Sequence, residues 1–152
     1  MKIMALDIGL ARTGVAVTDP FGSFAQPLSV LKGNLGPLLA KDIALLAKEQ
    51  QVSRIIVGLP LSGDGETTAQ AEKIKRFILV IEGALRNARL KNIVIETIDE
   101  SMTTKDAHQK LKEAGIKYSA RKAEIDKFAA ALILESWLEG QKQNSQSGKG
   151  GA

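Results

Sequence analysis

The chain has 152 residues, 44% of them hydrophobic and 25% charged, the proportions of one soluble domain with enough apolar material for its own core. It has no cysteine, which excludes disulfide frameworks, thiolate zinc sites and cysteine nucleophiles and suits a reducing cytoplasm. The formal net charge of +4 is a mild basic excess, compatible with a polyanionic partner.

In chain order, the N-terminus acquires charge too early, and its apolar run is too short, for a signal peptide. No stretch approaches the roughly 18 apolar residues of a membrane span, so the expectation is a cytoplasmic protein with no membrane partner. Lys2 to Leu6 reads as a strand ending at Asp7, with Gly9 and Gly14 as turn glycines and Gly14 free to take a positive φ. Val15 to Thr18 resumes as a strand, Asp19 to Gly22 has turn chemistry, and Phe24 to Leu31 is a third extended run in which Pro27 demands an edge or a bulge. Leu35, Leu38, Leu39, Ile43, Leu46 and Ala47 recur at helical spacing, with Asn34 as cap and Pro37 in the first turn. Arg54 to Leu59 is a buried strand, Glu66 to Leu90 a helix, Ile93 to Ile98 a strand closing on Asp99-Glu100, and Thr103 to Ala114 a helix. A last helix from Ser119 or Ala120 stops at Gly140. The order predicts an α/β domain over 1–140, a mixed five-stranded sheet with helices on both faces, followed by a disordered tail over 141–152.

Three acidic places stand out. Asp7 shares strand parity with Ile3 and Ala5, so it points where apolar side chains point, at the strand end where α/β sheets place ligand chemistry. Asp126 heads the helical stripe 126, 130, 133, 137, which is otherwise apolar and therefore faces the sheet. Asp99 and Glu100 close a strand; adjacent strand residues face opposite ways, so only one of the two can serve a site, the alternative being that both are turn residues. Carboxylates from separate segments, with no cysteine and a lone His108, make a hard-cation site suited to Mg2+ or Mn2+. The basic residues cluster: six Lys/Arg against two Glu over 72–91, and seven against four acids over 105–127. Such segments suit a phosphate backbone, with Arg12, Lys105, Arg121 and Lys127 the candidates nearest the acids.

The segments Leu6 to Val17 (LDIGLARTGVAV), Ile56 to Leu61 (IVGLPL) with Asp64-Gly65, Asp99-Glu100 with Thr103-Thr104, and Ile125 to Leu134 (IDKFAAALIL) occur in this order across residues 6–139. Together they resemble the YqgF family of ribonuclease H-like proteins, described as Holliday-junction resolvases and as nucleases maturing the 5′ end of pre-16S rRNA. The resemblance implies a ribonuclease H-like nuclease domain, a triad of Asp7, Glu100 and Asp126, and nucleic acid as partner, with pre-rRNA favoured over branched DNA. Two positions depart from the family pattern. Ser101 stands where Arg usually follows Asp-Glu, leaving Lys105 as the nearby cation, and Ser62-Gly63 replace Asn-Met.

The leading function is therefore metal-dependent phosphodiester hydrolysis by a monomer or weak homodimer. A non-catalytic nucleic-acid-binding assembly factor is the alternative of another class. A sugar-kinase-like phosphotransferase, whose strands also begin Asp-x-Gly, needs a second domain for which 152 residues leave no room.

Overall fold

The computed structural model describes residues 1–61, 66–100 and 118–150, excepting the side chains of 118–127 and 145–150. The elements are β1 (Ile3–Ile8), β2 (Arg12–Thr18), β3 (Ala25–Lys32), α1 (Pro37–Glu49), β4 (Arg54–Leu59), α2 (Ala69–Asn87), β5 (Val94–Asp99) and α3 (Tyr118–Gly150). The strands form one sheet in the order β3-β2-β1-β4-β5. β1, β2 and β3 pair antiparallel, whereas β4 joins β1 and β5 joins β4 in parallel. This is the mixed five-stranded sheet expected.

Alternation along the strands divides the core in two. Met4, Leu6, Val15, Val17, Ile55 and Val57 pack on one face against Leu39, Ile43, Ile74 and Phe77 of α1 and α2. Ile3, Ala5, Ala16 and Ile56 face the other way, against Ala130, Ala131, Ile133 and Leu134 of α3. The small residues of α3 let its backbone lie close to the sheet, which is why a helix with three consecutive alanines can bury them.

Local chemistry explains most boundaries. Thr68 starts α2 by accepting a hydrogen bond from the Ala71 N–H at 3.1 Å, and the chain leaves the helix at Arg89, whose φ is 63°. α1 begins at Gly36 with Pro37 in its first turn, so Asn34 lies before the helix rather than capping it. Pro27 sits on the edge strand beside a register shift against Val15 and Ala16, where a missing N–H is tolerated. Gly14 lies inside β2 opposite Asp7 and is not among the glycines of positive φ. The last helix does not stop at Gly140 but continues to Gly150. A glycine costs a helix interior about 1 kcal/mol without terminating it, and the Gln and Lys residues that follow are adequate helix formers. The helix expected over Thr103 to Ala114 and the loop Ser62 to Gly65 lie outside the described residues.

At the edge where β4 and β5 begin, Arg54 pairs with Glu96, the Trp137 Nε1–H donates to Glu96 Oε2 at 2.9 Å, and the Arg54 guanidinium lies 5.6 Å from the Trp137 ring centroid. These contacts fasten the lower half of α3 to the sheet. No helix among the described residues is long and apolar enough to cross a membrane.

Candidate active site

Because β1, β4 and β5 run parallel, their C-terminal ends lie along one edge. Asp7 is the penultimate residue of β1. Glu100 follows β5 directly, and its N–H donates to Leu59 O at 3.0 Å, prolonging the ladder by one residue. It keeps the parity of Glu96, which bonds Trp137, and of Ile98, which packs in the α3 core. Glu100 therefore faces α3, as Asp7 does, while Asp99 is exposed. Of the two adjacent acids, Glu100 is the one that the structure turns toward Asp7.

The two carboxyl groups meet. Glu100 is 8% exposed, and a side-chain hydrogen bond links it to Asp7. Its Oε2 is buried without a hydrogen-bond partner among the described residues. β4 lies between the two strands and contributes Gly58 at this point. A Cβ there would stand 2.6 Å from Glu100 Cδ and 2.7 Å from Ile133 Cδ1, closer than such atoms approach. The glycine is the space into which the glutamate leans. Gly9 has a comparable role in the next turn: its N–H donates to Arg12 O at 2.9 Å, and a Cβ would stand 2.7 Å from that oxygen.

Burial pushes the Glu100 carboxyl up to about 9, assisted by the charge of Asp7, the hydrogen bond to it, and the charge of Asp99. At neutral pH the pair accordingly retains a proton, shared in the hydrogen bond between the two carboxyl groups. Two acids facing one another in a partly dry site need a proton or a cation between them. Their donor set is all oxygen, and Glu100 Oε2 lacks any other partner, so the residues fit a hard divalent ion.

Among the described residues no group of three metal-ligating side chains occurs, since Asp7 and Glu100 are the two that meet. Position 126 belongs to α3, on the stripe whose later members, Ala130, Ile133 and Trp137, pack on the sheet. Trp137 is fastened where β4 and β5 begin, and Ile133 reaches Gly58 near the end of β4, so α3 climbs toward the carboxylate edge as it is followed back to its start. The Asp126 side chain lies outside the described residues.

Of the cationic candidates, Arg12 begins β2 with the parity of Gly14, which stands opposite Asp7, so it projects on the carboxylate face. The register also sets Lys32 of β3 directly opposite Arg12, a cation that spacing alone does not bring there. Like charges directly opposed in a ladder are unfavourable unless an anion lies between them. Lys105 lies outside the described residues, and for Arg121 and Lys127 this holds for the side chains. A groove of about 620 Å³ between α1 and α2 is bounded by Ala40, Ala44, Val80 and Ala84 and lies away from the carboxylates.

A family model described as RuvX, Holliday junction resolvase, matches residues 1–140. A protein of Chloroflexus aurantiacus named "Putative pre-16S rRNA nuclease" is 37% identical over 142 residues, covering 93% of this chain and 89% of its own length. A protein of the same name from Pelotomaculum thermopropionicum is 39% identical over 142 residues, with 93% and 88% covered. Among solved structures, Thermus thermophilus RuvC in complex with a Holliday junction substrate superposes with a TM-score of 0.54 at 16% identity, covering 88% of this chain and 91% of that one. The yeast mitochondrial Holliday junction resolvase Ydc2 gives 0.55 at 11% identity, with 95% and 80% covered. These two share the fold, which is ribonuclease H-like.

Proposed function

The chain belongs to the RuvX family of nucleases, and from that membership we propose that it hydrolyses phosphodiester bonds of structured nucleic acid at Asp7, Glu100 and Asp126, with the 5′ end of pre-16S rRNA as first substrate. The name carried by relatives 37% and 39% identical over most of their length supports the rRNA reading. The description of the family model favours a branched DNA junction as second reading. Residues 1–140, the span of the family match, would be the nuclease domain, and 141–152 an appendage to it. A cytoplasmic location goes with a ribosomal substrate.

The observation that carries the proposal is the hydrogen-bonded pair Asp7–Glu100 at the edge where three parallel strands end. Asp7 and Glu100, joined by Asp126, would hold the divalent cation, Mg2+ or Mn2+. When bound, it supplies positive charge that acidifies a water and offsets the charge building on the phosphate. The chain's own residues do the rest. Asp7 orients toward the edge from a buried strand paired on both sides. Glu100, buried against Asp7, would offer its carboxylate to the cation once the proton the pair shares has left. Gly9 removes the side chain that would keep a phosphate from the turn, and Arg12 with Lys32 supplies cations for the backbone.

Incubating the protein with a pre-16S rRNA 5′ precursor and with a four-way DNA junction, with magnesium and with EDTA, tests this. Magnesium-dependent cleavage of the RNA, lost in Asp7→Asn, is the expected result. Cleavage of the junction alone would transfer the activity to DNA. Binding without cleavage of either would make the protein an assembly factor and overturn the catalytic assignment.

A further inference from the structure

On the opposite side of the sheet from Asp7, a groove of about 470 Å³ runs between the β1–β2 turn and the first half of α2. Leu10 borders it at the apex of the turn, three residues from Asp7, with Asn34 and Leu35 on one wall and Lys73 and Arg76 on the other. Lys73, Arg76 and Val80 follow one another at spacings of three and four, so they form a single stripe of α2. The neighbouring Ile74 and Phe77 are buried and fix the helix beneath them. Among the described residues no acid borders the groove. Neither Lys73 nor Arg76 has an ion pair or hydrogen bond among the described residues, although Arg76 acts at a distance on Glu72. Glu72 is itself engaged by Thr67 at 2.8 Å and by Lys75 at 3.6 Å. Leu10, at the mouth, is 57% exposed.

We propose that this groove binds the phosphodiester backbone of the substrate strand beyond the carboxylates, with Lys73 and Arg76 as the phosphate contacts. The proposal rests on the nuclease reading and extends it. Arg12 and Lys32 stand on the carboxylate face of the β1–β2 turn, and Lys73 and Arg76 on the other. A strand leaving the carboxylates over Leu10 therefore meets cations on both sides of the turn. Leu35 and Phe77 offer apolar floor to the sugars, and the Asn34 amide can donate to a phosphate or a ribose hydroxyl. The contacts are to backbone, so the subsite carries affinity and direction without reading sequence.

The test is binding of the RNA precursor and of the four-way junction, in EDTA across a series of salt concentrations, by wild type and by Lys73→Ala/Arg76→Ala. Losing two phosphate contacts should flatten the slope of log affinity against log salt by about 1.4 for single strands and 1.8 for duplex. In magnesium the double variant should show a raised KM with kcat unchanged, and Lys73→Arg/Arg76→Lys should restore wild-type behaviour. Arg86→Ala/Lys91→Ala removes the same charge at the far end of α2 and the turn that follows it, and should leave the slope nearly intact. A loss on RNA alone or on the junction alone would identify which backbone occupies the groove. An unchanged slope in Lys73→Ala/Arg76→Ala, or an equal loss in Arg86→Ala/Lys91→Ala, overturns the subsite while leaving the nuclease reading standing. Wild type that binds neither substrate overturns both.

Discussion

Glu100 occupies the volume that a side chain at Gly58 would need: the Cβ position of residue 58 lies 2.6 Å from Glu100 Cδ and 2.9 Å from Glu100 Cγ. Gly58→Ala should therefore displace the glutamate, costing about 1–3 kcal/mol of stability through overpacking and lowering cleavage at least about tenfold. Ile133→Val removes the Cδ1 atom that stands 2.7 Å from the same point. Adding it to Gly58→Ala should recover part of the melting temperature and none of the activity, because the clash with Glu100 remains. A Gly58→Ala enzyme of full activity would show that Glu100 needs no fixed seat.

Asp7→Asn should abolish cleavage yet leave the metal-free protein as stable as wild type at pH 7, since the pair already shares a proton there and an amide can keep the hydrogen bond to Glu100. Above pH 9 the variant should be the more stable of the two, because wild type then carries two facing charges. An acid that merely capped a turn would instead lose about 0.5–2 kcal/mol at either pH. Thermal melts in EDTA at pH 7 and pH 10 distinguish the two roles.

The displaced Glu100 equilibrium gives a pH dependence of defined sign. With the folded-state value raised from 4.5 to about 9, the folded protein binds more protons than the unfolded chain throughout that window. Metal-free stability should thus be highest below pH 4.5 as far as this group is concerned, fall as pH rises through the window, and level off above about 9. Glu100→Gln should remove that component of the slope. Magnesium added near pH 7.5 should expel close to one proton per protein, measurable by calorimetry in buffers of different ionisation enthalpy. No proton release would mean that Glu100 is not a ligand.

Arg12→Ala and Lys32→Ala should each weaken nucleic-acid binding about equally across sequences and flatten the salt slope by about 0.7–0.9. Because Lys32 stands opposite Arg12 in the ladder, Lys32→Ala also relieves the repulsion between them, so the metal-free stability of that variant should hold or rise. A loss confined to one base sequence would contradict a backbone role, and filter binding against a set of scrambled RNAs would detect it.

The parity of Asp7 with Ile3 and Ala5 was legible in the sequence because period-two alternation is a local property of a strand. So was the packing stripe of the last helix, where Ala130, Ile133 and Trp137 repeat at helical spacing. The choice between Asp99 and Glu100 was not legible: it depends on where β5 begins to pair with β4, a register that nonlocal hydrogen bonds set. Lys32 escaped notice for the same reason, since only the β2–β3 ladder, with its shift near Pro27, brings it opposite Arg12. Gly140 looked like a stop because a glycine so often ends a helix, but no following residue forces the chain out of the right-handed region. Gly58 read only as one residue of the buried strand Arg54 to Leu59, and its actual role, vacancy beneath a glutamate, appears only when three separate segments are brought together.

The fastening of α3 also gives the protein an optical reporter. Trp137 is the single tryptophan of the chain, and its indole is held by Glu96 and faces the Arg54 guanidinium. Its emission consequently reads one event, the seating of the last helix on the sheet, with no second indole to dilute the signal. A substrate or cation that loosens or tightens that seat announces itself in the fluorescence of an unlabelled protein, at the sheet edge opposite the chemistry.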